Sequence, residues 1–148
     1  AYGDHFSAYA YKRIELHEDN LFYIKDALSP VSEDCTDAAE FTPALIVDGK
    51  KIMDDYWTGE QPRACFGTGD QGLYMLIIEG RYPEEGIRGT SVNTCSDILL
   101  AYGCRNALNM DGGSSAILWY DGEYVTQSSS SFLRYTGGRP LPNAWVYG

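Results

Sequence analysis

Residues 107–125, ALNMDGGSSAILWYDGEYV, set the strongest limit on how this chain folds. A short apolar entry (Ala107, Leu108, Met110) runs into Asp111-Gly112-Gly113, then two hydroxyls, Ser114 and Ser115, then a second apolar run closed by Asp121-Gly122. Asp-Gly and Gly-Gly steps between apolar runs reverse the chain, and reversals this close together favour hairpins over long helices. Adjacent glycines also admit φ > 0 and a close approach to a ligand. The carboxylate before them and the hydroxyls after them give such an approach chemical groups to use. A plain strand-to-strand turn uses the same residues.

The remaining chain follows the same grammar. Residues 44–47 and 50–53 flank Asp48-Gly49, a second hairpin signature, and residues 63–67 and 73–79 flank the Gly-rich 68–72. The continuous apolar run 73–78 predicts a buried central strand. Residues 91–102 are the one clear helix. Val92, Cys95, Ile98, Leu99 and Tyr102 share a face, Thr90 or Ser91 can cap its start, and Gly103 stops it. Residues 21–24, 106–110, 116–120, 123–127 and 143–147 read as strands. Residues 26–40 read as a polar loop with one turn of helix, and His5 and His17 as surface groups. The expected fold is one α+β domain, with a mixed or antiparallel sheet, several hairpins and one main helix at about 91–102.

Composition narrows the function. A net charge of −10 argues against a nucleic-acid partner, which would need a basic face. No apolar run is long enough for a transmembrane helix. All four lysines precede residue 52, and every base from residue 63 onward is arginine. Arginine's planar fork fits phosphate or carboxylate, so the second half suits an anionic ligand. Surface ion pairs are the ordinary alternative for each. The four cysteines lack CxxC spacing, which argues against zinc. A helix of ~13 Å between Cys95 and Cys104 is too long for a disulfide to span. Pairing elsewhere and buried free thiols both stay open.

From Pro43 to Gly148 the motifs PALIVDG, PRACFG, LIIEGR, ALNMDGGSS and GRPLPNAWV occur in order, and together they resemble the phosphodiester glycosidase domain family. Glu79 stands where the family's Asp-Gly-Arg has Asp, and two glycines stand where many relatives have three. The resemblance fades before residue 43, and the family's upstream Asn-Gly-Gly segment is not found. The expectation is therefore the C-terminal part of such a domain, with residues 1–42 a weakly matching segment. The missing element would come from a longer precursor or a partner chain, or has been lost.

The resemblance implies a secreted or extracellular hydrolase that cleaves a sugar-1-phosphodiester at the anomeric carbon. Phosphate is a good leaving group, with a second pKa near ~6, so cations holding it can replace a strong acid. Arg63 and Arg139 are the first candidates, with Arg81 third. Asp111, then Glu79, is the candidate carboxylate that activates water or stabilises the sugar cation. Gly112, Gly113, Ser114 and Ser115 are candidate substrate contacts through backbone amides and hydroxyls. Thr90 at a helix start and Asn143 complete the binding set. No acids cluster with Asp111, so neither metal nor cofactor is expected. The alternative is a non-catalytic carbohydrate-binding or assembly subunit on the same scaffold, with the acidic N-terminal half and edge hairpins making contacts to another copy.

Overall fold

The computed structural model describes residues 11–52, 59–129 and 139–147. Three antiparallel strands, β1 (Lys12–His17), β2 (Phe22–Asp26) and β3 (Cys35–Phe41), form a sheet in the order β2-β1-β3. A five-stranded antiparallel sheet follows, built from β4 (Ala44–Val47), β5 (Lys50–Lys51), β6 (Arg63–Gly69), β7 (Gly72–Ile78) and β8 (Cys104–Asn109). Its order is β5-β4-β8-β6-β7. The helix α1 (Val92–Ala101) lies between β7 and β8 in the chain, and the short hairpin β9 (Trp119–Tyr120) and β10 (Glu123–Tyr124) comes last. This is the α+β arrangement of the sequence reading, with every recorded pairing antiparallel.

The five-stranded sheet is the middle layer. Leu45, Cys65 and Ala107 pack on its helix side with Val92, Cys95 and Leu99. Ala44, Val47 and Leu108 pack on its other side with Ile14, Phe22 and Ile24 of the smaller sheet. A strand covered on both faces has no polar alternation, which is why β4 reads ALIV and is buried throughout. The Asp48-Gly49 and Asp121-Gly122 turns form as the sequence requires, with Asp48, Gly49, Asp121 and Gly122 all at positive φ. Ser91 caps α1 by accepting the Thr94 amide, and Val92, Cys95, Ser96 and Leu99 form its buried face. Ile98 is only half-buried and Tyr102 is exposed, so the apolar stripe is narrower than its composition implies.

Several sequence expectations are corrected. β7 is an edge strand and not a central one: Tyr74, Leu76 and Ile78 pack on the helix side while Leu73 is exposed. Residues 26–40, read as a loop, contain most of β3, whose polar sequence suits an exposed strand. Residues 143–147 form no strand. Trp145 instead packs edge-on against Phe22 and at a tilt on Phe66, each at 5.3 Å between ring centres. The four cysteines are free, with Cys65, Cys95 and Cys104 buried. His5 lies outside the described residues. No helix among them is long and apolar enough to cross a membrane.

β1 escaped the sequence reading because charge fills its outer face. Ile14 points into the core, while Arg13, Glu15 and His17 lie under the loop 27–34 and are nearly inaccessible. Arg13 donates to Glu15 at 2.7 Å and to the carbonyls of Ala27, Ser29 and Pro30. His17, expected at the surface, lies 3.0 Å from Glu15 and 3.1 Å from Asp34. Burial pushes the Glu15 carboxyl up, but hydrogen bonds from Ser32, Arg13 and His17 outweigh it and bring it to about 2. A carboxyl held below its ordinary value stabilises the fold fully above about pH 4.5 and loses that contribution as pH falls towards 2. Glu15→Gln removes the buried charge facing Arg13, which keeps its three carbonyl acceptors and the Glu40 carboxylate at 3.8 Å, and is expected to cost about 1–3 kcal/mol. Urea unfolding across this pH window should show the variant's stability changing less with pH than the parent's. An equal slope would contradict the role given to Glu15.

Candidate active site

The site grows from the ladder between β6 and β8. Cys65 pairs with Asn109, and the zip continues beyond the strand: the Met110 amide donates to the Ala64 carbonyl at 2.8 Å and the Gly113 amide to Pro62 at 2.9 Å. This continuation lays residues 111–115 beside Arg63. The two glycines serve different needs. A Cβ on Gly112 would sit 2.5 Å from the Pro62 carbonyl oxygen, so only glycine fits there without movement. Gly113 has φ +57° and lies under the Arg81 guanidinium, 3.1 Å from where its Cβ would be. The Gly113 and Ser115 amides are taken by the Pro62 and Gly112 carbonyls, so the loop offers fewer donors than a full nest.

Around this loop opens a cleft of about 810 Å³. Arg63, Arg81, Arg139 and Asp111 line it with the backbone of residues 112–115. Among the described residues, three guanidiniums and one carboxylate line it, a net positive set in an acidic chain. Asp111 is held by two donors on one oxygen, the Ser115 hydroxyl at 2.7 Å and Arg139 Nη2 at 3.0 Å. Arg139 Nε also donates to Ser115 Oγ at 3.2 Å. Arg81 stands at φ +68°, an uncommon backbone state for a non-glycine residue, and its Nε and Nη2 grip the Gln61 side-chain oxygen at 2.9 and 2.7 Å. Arg63 is buried and donates to the carbonyls of Thr90 at 3.0 Å and Gly59 at 2.9 Å. Burial pulls its pKa below the usual arginine value, against the nearby Cys95 and Cys65 sulfurs; a guanidinium stays charged regardless.

Asp111, Arg63, Arg139, Arg81 and the Gly112–Ser115 loop therefore converge. Glu79, Thr90 and Asn143 are not among the described residues that line the cleft. The Glu79 carboxylate accepts the Gln127 amide and ties the end of β7 to the chain after the hairpin. Thr90 bonds Gln61 through its backbone in both directions, and Ser91, not Thr90, caps the helix. Asn143 is exposed. Five lining residues were not among the candidates read from the sequence: Phe41, Gly59, Gln61, Asn109 and Met110. For Asn109 a signal existed, a lone amide in the apolar run ALNM.

A family model described as phosphodiester glycosidase matches residues 7–147. The chain belongs to the phosphodiester glycosidase family. The match begins well before Pro43, where the motif resemblance starts. Among solved structures, the fold is similar to the catalytic domain of zebrafish N-acetylglucosamine-1-phosphodiester alpha-N-acetylglucosaminidase, auto-inhibited by its pro-peptide, with TM-score 0.66 and 17% identity. That match covers 80% of this chain and 45% of the zebrafish chain. A hypothetical protein from Synechocystis matches over 84% of this chain and 32% of its own, with TM-score 0.48 and 16% identity. No curated protein matches the sequence. This phosphodiester glycosidase family chain thus spans under half the length of the zebrafish chain it resembles in fold.

The loop geometry makes its own prediction. Gly112→Ala must displace either Pro62 or the loop and is expected to cost on the order of 1–3 kcal/mol. Gly59→Ala, with none of the described residues within 4 Å of the new methyl, should stay within about 0.5 kcal/mol of the parent. Thermal or urea unfolding of both variants checks this, and equal costs would contradict the close packing at Pro62.

Proposed function

We propose that this chain carries the hydrolytic site for a sugar-1-phosphodiester, cleaving the anomeric C–O bond and releasing a phosphomonoester. The observation that supports it most is the gathering, among the described residues, of three guanidiniums and one carboxylate around a glycine loop in a single cleft. Ordinary glycosidases use two carboxyl groups, one to protonate the departing oxygen. Here Asp111 is the one carboxylate among the described lining residues, and Glu79 is engaged elsewhere. A phosphate leaving group removes the need for the second, because its departing charge can be met by fixed cations. Arg81 and Arg139 at the cleft wall take that role, with Arg63 adding positive field from beneath. Asp111, oriented by Ser115 and Arg139, activates water or stabilises the sugar cation. A secreted or extracellular location fits this reading.

One feature supports the runner-up, a phosphosugar-binding subunit without turnover: the Asp111 oxygen closest to the cations is already occupied by two donors. Product release decides between the two. The protein, incubated with N-acetylglucosamine-1-phosphodiesters and other sugar-1-phosphodiesters, is expected to release free sugar. Asp111→Ala should lose about 10²–10⁴ in rate and Arg139→Ala about 10²–10³. Chelator should leave the rate unchanged, since guanidiniums meet the phosphate charge. Saturable binding with no sugar released would favour the binding subunit, and a folded Asp111→Ala variant of normal rate would remove the assignment of Asp111.

A further inference from the structure

The cleft contains donors and acceptors in separate places. At its mouth are the half-exposed guanidinium of Arg139 and the exposed Arg81, groups that can only donate. At its floor is Asn109, 1% exposed and on the end of β8. The orientation of the Asn109 amide is fixed: Nδ2 donates to the Thr42 carbonyl at 2.8 Å, which requires a donor at that position. Its Oδ1 has no hydrogen-bond partner and is closed to solvent in the free protein, so a ligand's donor reaches it only when the side chains around it shift. A buried amide oxygen without a donor is a standing cost to the free protein, and a ligand that brings a donor recovers it as affinity. A phosphodiester cannot do so, because all its oxygens accept. A sugar hydroxyl can.

We propose that Asn109 Oδ1 accepts a hydrogen bond from a ring or side hydroxyl of the sugar, so that the sugar enters the cleft first and the phosphodiester stays at the arginine-lined mouth. This inference rests on the reading of the cleft as a sugar-phosphate site. It adds a direction to that reading and a residue that selects for a hydroxyl at one position. With the phosphate at the mouth, the group beyond it projects into solvent, and the site places little limit on the aglycone's size.

The test compares binding of inorganic phosphate, N-acetylglucosamine-1-phosphate and the 3-, 4- and 6-deoxy derivatives of that sugar phosphate, by calorimetry. The parent protein is expected to bind the sugar phosphate more tightly than phosphate, and to bind one deoxy derivative roughly ten- to a hundredfold more weakly than the parent sugar. In Asn109→Leu that discrimination should collapse to about one, because the acceptor is gone. The deoxy series on the parent protein stands alone should the variant not fold. Phosphate binding with equal affinity for every deoxy derivative, or full discrimination kept in Asn109→Leu, would overturn the role of Asn109 and leave the cationic mouth intact. No binding of any phosphate-bearing probe would overturn both.

Discussion

The site depends on one run of backbone hydrogen bonds. The β6–β8 ladder does not end with the strands but passes through Met110 and Gly113 to Ala64 and Pro62. Those two bonds fix residues 110–113 against the start of β6, and through them Asp111 against Arg63. Gly112 makes the approach possible, since any side chain there would meet the Pro62 carbonyl. The ladder is itself rigid because the middle sheet is covered on both faces, by α1 on one side and by β1 and β2 on the other. The core thus sets the site's geometry, and the loop inherits that precision.

Where two hairpin turns and a capped helix are concerned, the chain was legible from its residues. Asp48-Gly49 and Asp121-Gly122 need positive φ, and Ser91 carries a hydroxyl at a helix start. These are local causes, and local sequence shows them. β1 and β3 were not legible. β1 has its charges buried under a loop that lies beside it only after folding, and β3 is polar because it is exposed. Long-range contacts also decided the fate of the candidate site residues. Arg139 reaches Asp111 from 28 positions away, while Glu79, near Arg81 in sequence, turns to Gln127 instead. Spacing along the chain could mark Asp111 and the glycines but could not separate these two outcomes.

The chemistry follows from unequal polarity in the cleft. Among the described residues, cations gather at the mouth and loop with one carboxylate, and an unpaired amide oxygen lies at the floor. A ligand that is anionic at one end and rich in hydroxyls at the other matches this order. The chain belongs to the phosphodiester glycosidase family and spans 45% of the zebrafish chain it resembles in fold.

Side-chain NMR of the arginine Nε–H groups, followed during titration with N-acetylglucosamine-1-phosphate, tests the central claim most directly. Arg63, Arg81 and Arg139 should shift together with one affinity, while Arg13, Arg88 and Arg105 stay in place. Shifts confined to Arg88 or Arg105, or three cleft arginines that do not respond, would contradict a shared anion site.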